Sequence, residues 1–172
     1  MAGSLIKIDE EIVTSAVASV TLTGIDSTYD VYMVRVNNLG SSNDNINLIA
    51  RFTVGGTPDT GSNYDRAFKL LRSSSTFNNI SGTNEGSMNT QIYTGTGTSE
   101  TANLVMYIFN ANNSGEYTFA TIESSALAHS PELVGATGGF VNDVQQAVDG
   151  IQFLFGTGNV ASGTFTLYGL KK

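Results

Sequence analysis

Apolar and polar residues alternate with a period of two along most of this chain, the pattern of half-buried β-strands. The C-terminal stretch shows it best. Ile151, Phe153 and Phe155 fall on one face, with Gln152 and Leu154 on the other. After a glycine-rich connection, Phe165 and Leu167 share a face and Thr164, Thr166 and Tyr168 take the opposite one. Gly156, Gly158, Asn159 and Gly163 are residue types that tolerate the positive φ a reversal needs. Nearer the N-terminus, Val20 and Leu22 alternate with Ser19 and Thr21. Ile46, Leu48, Ala50 and Phe52 likewise alternate with Asn45, Asn47, Arg51 and Thr53.

Two runs are apolar on both sides, Tyr29 to Val36 until Arg35 interrupts, and Leu104 to Phe109. Such runs predict strands covered on both faces. From Tyr64 to Arg72 a helical spacing competes, with Tyr64, Phe68 and Leu71 at i, i+4 and i+7. The β-like neighbours predict a strand there, with one helical turn at most. Turn chemistry falls at 24–28, 37–44, 55–63 and 94–99, and at 110–115, where a hairpin leads into 116–123. Ser73 to Gly86 reads as polar with Phe77 and Ile80 as anchors. Ser124 to Phe140 reads as a long excursion holding Pro131 and Gly138-Gly139, and Val141 to Val148 as a strand or a short helical turn.

About eight to ten short strands result, which predicts an all-β fold, an antiparallel jelly-roll-like β-sandwich. Residues 16–172 are expected to form a single β-sandwich domain, with 1–15 an N-terminal arm or first strand. No repeat of solenoid or propeller period runs along the 172 residues.

Composition narrows the function. Charged residues are 13% of the chain and the net charge is −7. The eight basic residues are scattered, which argues against nucleic-acid binding, where phosphates demand clustered Lys and Arg. There is no cysteine, so disulfides, thiol nucleophiles and Cys-ligated zinc are excluded. No apolar run is long enough for a membrane helix, so no membrane insertion is expected. The N-terminus has no signal-peptide h-region, and the protein is expected to be made in a cytoplasm.

Catalytic chemistry finds little to build on. His129 is the single histidine, followed by Ser-Pro, and reads as a loop residue. No Gly-x-Ser-x-Gly elbow accompanies it. Asp59, Asp65, Glu85, Glu100, Glu116 and Asp143 are carboxylates of the type a glycosidase pair needs, but no spacing singles out two of them. Asn43-Asp-Asn45 lacks the spacing of a calcium loop, and Gly95-Thr-Gly97 and Gly156-Thr-Gly158 lack that of a nucleotide loop. No enzyme, cofactor or metal is expected. The segment Leu5-Ile-Lys-Ile8, ahead of Asp9-Glu10-Glu11, is either the first strand or an arm that pairs with a neighbouring sheet edge. Leu5, Ile6 and Ile8 are accordingly the candidate assembly contacts.

The opening Ser4-Leu-Ile-Lys-Ile-Asp-Glu-Glu-Ile-Val-Thr-Ser15, the run Tyr29-Asp-Val-Tyr-Met-Val34 and the ending Ala161-Ser-Gly-Thr-Phe-Thr-Leu-Tyr-Gly-Leu170 resemble small structural proteins of tailed bacteriophages, especially phages of marine bacteria. The resemblance implies a virion surface component without catalytic residues. Two roles follow from it. One is a capsid decoration (cement) protein, a homo-oligomer and specifically a trimer, seated on the major capsid protein. The other is a tail-fibre or receptor-binding module, partnered by tail proteins, whose loops touch a host glycan. Single-domain length favours decoration; the polar loops at 55–63, 73–86 and 94–101 suit recognition.

Overall fold

A computed structural model of the chain describes residues 4–128 and 132–171; His129 and Pro131 lie outside these. The described residues form thirteen strands and no helix. They are β1 (Ser4–Val13), β2 (Ser19–Thr23), β3 (Val31–Ser41), β4 (Ile46–Val54), β5 (Thr57–Pro58), β6 (Tyr64–Arg72), β7 (Asn78–Glu85), β8 (Met88–Thr94), β9 (Ala102–Phe109), β10 (Thr118–Ala128), β11 (Glu132–Asn142), β12 (Gly150–Phe155) and β13 (Val160–Lys171). All strand pairing is antiparallel. One sheet has eight strands in the order β1-β13-β3-β9-β10-β11-β6-β7. The other runs β2-β12-β4, with β5 and β8 both pairing β4.

The all-β sandwich is therefore as the alternation predicts, but with more strands. The additions come from segments read as loops. β5 lies inside the 55–63 turn, β7 inside the polar 73–86 stretch, and β11 takes up the second half of the 124–140 excursion and the first two residues after it. β5 and β7 have too few apolar side chains to show a period of two, and in β11 the glycines interrupt it; each is held by backbone pairing to a better-marked neighbour. Gly138 and Gly139 sit mid-strand, not in a turn, because a Cβ on Gly138 would collide with the backbone of β6 at Ala67 and Phe68. β6 is a strand throughout, and β11 ends at Asn142, leaving 143–149 irregular.

The C-terminal stretch organises the sandwich in a way the alternation does not reveal. β12 and β13 do not pair with each other; they cross between sheets. β13 lies between β1 and β3, while β12 lies between β2 and β4. Each of the connected pairs β1–β2, β3–β4 and β12–β13 thus contributes one strand to each sheet. Of the residues in the connection and the strand after it, Gly158 and Gly163 take positive φ (78° and 142°), whereas Gly156 and Asn159 do not. Phe153 and Phe165, one from each sheet, meet across the core with ring centroids 5.5 Å apart and no solvent exposure. Burying each ring contributes about 2–3 kcal/mol relative to leaving it in water.

Two buried tyrosines close the ends of this core through their hydroxyls. Tyr32 Oη donates to the Asp26 carbonyl (2.6 Å) and accepts from the Asp26 N–H (2.9 Å). Tyr64 Oη accepts from the Phe52 N–H (3.0 Å) and donates to the Asp59 carbonyl (3.2 Å). Burial pushes the Tyr64 phenol well above its usual pKa.

Candidate assembly surface

The sequence-predicted contacts separate in space. β1 is a terminal strand of the eight-stranded sheet, paired along one side to β13. Leu5 is 46% exposed and Ile6 39% exposed. Because β1 alternates, they point to opposite sides of the sheet. Ile6 lines a cleft of about 480 Å³ with Tyr29, Asp30, Leu170 and Lys171. Ile8 instead packs on the core, close enough to Gly24 that a Cβ there would lie 2.8 Å from its Cγ2. A register shift between Lys7 and Asp9 lets Asp9 turn aside, where its carboxylate accepts from the Thr23 N–H (2.8 Å) and fastens β1 to β2. Glu10 pairs with Lys7 at 3.0 Å and accepts from Thr166 Oγ1 at 3.2 Å. The Lys7 ammonium, followed by the smaller contributions of Thr166 and Arg35, outweighs desolvation and lowers the Glu10 pKa.

A second apolar surface escaped sequence reasoning. The run Leu104 to Phe109 is covered on one face only, contrary to the expectation of burial on both. Leu104, Met106 and Ile108 are buried, whereas Tyr107 is 40% exposed and Val105 and Phe109 are half-buried. The five-stranded sheet covers the inner face of β9, and nothing among the described residues covers the outer one. On neighbouring β10, Phe119 is 45% exposed and pairs directly with Phe109. Uncovered aromatic positions thus line the outer face of the larger sheet. The available signal was weak: β9 is apolar throughout, so its residues cannot show which side faces solvent. Phe77, expected as an anchor, is exposed on the approach to β7, while Ile80 does pack against the core.

The carboxylates weighed for catalysis are distributed among separate elements, and four of them are engaged locally. Asp65 accepts from the Asn84 N–H (2.9 Å), Glu85 pairs with Arg66 (2.9 Å), and Glu100 accepts from the Gly97 N–H (2.9 Å). Asp59 is the most elaborately held. It accepts from Asn63, the Gly61 N–H, Gln146 and Asn142, all within 3.2 Å. Burial raises its pKa, but these hydrogen bonds to the charged form prevail and the net shift is downward. Because Asn142 ends β11 and Asp59 follows β5, the arrangement ties the two sheets together. Among the described residues no group of three or more His, Cys, Asp or Glu is placed to hold a metal.

No family model and no curated protein matches this chain. Among solved structures, the CBM2 module of the evolved Dit of Lactobacillus casei BL23 phage J-1 aligns over 90% of this chain and 69% of its own, at 10% identity and a TM-score of 0.24, an overlap too slight to carry fold or function across.

Proposed function

We propose that this protein is a virion structural component of a tailed bacteriophage, a decoration module that docks on the capsid lattice through β1. Its role is binding, without catalysis. The observation behind this reading is the edge of β1, where Leu5 and Ile6 remain exposed and, among the described residues, no strand pairs the side away from β13. An edge strand with uncovered apolar side chains is a template for pairing with another chain. The sequence resemblance supplies the virion as its setting.

The test is a count of copies of this chain per intact particle against the major capsid protein. Hundreds of copies agree with decoration; a few to a few tens move the module to the tail and its host-glycan role; none removes the virion reading. Docking itself is checked with the double substitution Leu5→Ser and Ile6→Ser, since exposed positions tolerate change without unfolding. The expected outcome is loss of particle binding with the melting temperature nearly unchanged. Retained binding would move the contact away from β1.

A further inference from the structure

Among the described residues nothing covers the outer face of the eight-stranded sheet, and charges on it follow an order. The cross-strand registers place Glu10, Arg35, Glu123 and Lys69 in one row, with Thr166 between Glu10 and Arg35, Val105 between Arg35 and Glu123, and Thr137 between Glu123 and Lys69. They stand on β1, β3, β10 and β6, the first, third, fifth and seventh strands of the sheet. Their signs therefore alternate, negative, positive, negative, positive, about β9 at the fourth place.

Such a row is complementary to itself. A two-fold axis lying along β9 brings a second copy face to face and carries each strand over the one equally far on the other side. Glu10 then meets Lys69 of the second copy, and Arg35 meets its Glu123. The adjacent row has the same property in shape. It places Tyr168 on β13 and Gly139 on β11, again equidistant from β9. Gly139 forms part of a trough of about 460 Å³ walled by Phe119 and Val141. The Tyr168 ring, steadied by Arg35 at 5.8 Å, opposes that hollow. On the axis Val105, Tyr107 and Phe109 meet their own counterparts, burying the exposed aromatic centre.

We propose that this face is a two-fold dimer interface, occupied by a second copy of this chain. Area permits it: eight strands about 4.8 Å apart, with about four outward residues each, span on the order of 900 Å², near the roughly 800 Å² per partner of a standard interface. An axis along β9 leaves the facing strands parallel, and pairs near it sit at the centre of the interface while those on the edge strands stay in contact with water. The Arg35–Glu123 contact therefore outweighs Glu10–Lys69. The free backbone edge of β1 lies in the plane of the sheet and stays open, so the dimer does not depend on the virion assignment. It differs from the three-fold assembly expected from the resemblance, and the oligomeric state in solution decides between the two.

The experiment is sedimentation of the isolated full chain from low to high micromolar concentration, with circular dichroism as the check on folding. Wild type is expected to populate a dimer. Tyr107→Lys sets two like charges together on the axis and is expected to abolish it. Arg35→Glu opposes Glu123 twice per dimer and is expected to weaken association about tenfold or more. The combined R35E/E123R exchange restores the pairing and is expected to recover the dimer. Wild type that stays monomeric, or forms a trimer, overturns the proposal. So does a dimer indifferent to both Tyr107→Lys and Arg35→Glu. If Tyr107→Lys fails to fold, recovery by R35E/E123R decides alone: absence of rescue counts against the interface.

Discussion

The two outer faces of this sandwich are built on the same alternation yet finished differently. On the five-stranded sheet, polar side chains are tied to one another or to nearby backbone: Gln152 donates to Ser19 Oγ (3.3 Å), Asn47 to Asn89 (2.5 Å) and Arg51 to the Gly86 carbonyl (3.3 Å). Ile49, Leu154 and Tyr93, the last opposite Asn47, stand among them, and all three are half-buried. On the eight-stranded sheet, the matching positions hold Tyr107, Phe119, Phe109 and Val105, with charges in an ordered row. A surface that satisfies its own polar groups has little to gain from a partner. One that leaves aromatic rings in water gains roughly 25 cal/mol for each Å² it covers. The contrast is what the proposed association through one face rests on.

The largest expected effect breaks what the two sheets share. Phe153→Ala empties the centre of the core and is expected to cost about 3–5 kcal/mol, read by chemical denaturation, with both outer faces lost together. Next comes the polar tie between the sheets. Asp59→Ala removes a charged acceptor of several hydrogen bonds and is expected to cost about 2–3 kcal/mol. Its pH behaviour sharpens the point. The Asp59 pKa is lowered in the folded state, so the stability it contributes is present above the ordinary aspartate value. It is lost as pH falls through the lower folded value. Wild type should therefore lose stability in acid more steeply than Asp59→Asn, which no longer titrates there.

The third prediction separates the faces directly. Phe119→Asp is expected to reduce self-association at least about tenfold while shifting stability by less than about 1 kcal/mol, because the ring is half in water already. Thr21→Asp on the other outer face, where Thr21 pairs with Gln152, should leave association unchanged. Equal effects from the two would erase the distinction drawn between them. The smallest effect is expected at Lys7. Its pair with Glu10 joins a well-exposed ammonium to a partly exposed carboxylate, and Lys7→Ala should leave the denaturation midpoint nearly unchanged.

Most strands were legible because alternation is a local signal. β2, β4, β12 and β13 bury the residues their spacing selects, from Val20 and Leu22 to Phe165 and Leu167. β7 and β11 were not legible, being polar or glycine-containing strands that depend on a neighbour's backbone. The candidate contacts were legible in part. Leu5 and Ile6 do reach the surface, whereas Ile8, on the same side of β1 as Ile6, packs on the core because it lies further along the strand, against Gly24, which no local pattern announces.

By itself, then, the amino-acid order determined the class of fold, the positions of most strands and the inward side of those that alternate, since each follows from neighbours two residues apart. Tertiary structure alone decided the rest. It separated β12 from β13 into different sheets and left one face of β9 uncovered. It also gathered Glu10, Arg35, Glu123 and Lys69, scattered from near the N-terminus to past residue 120, into a single alternating row. Strand order is a long-range choice made by the whole core, and a surface made from four distant strands exists only after that choice is made.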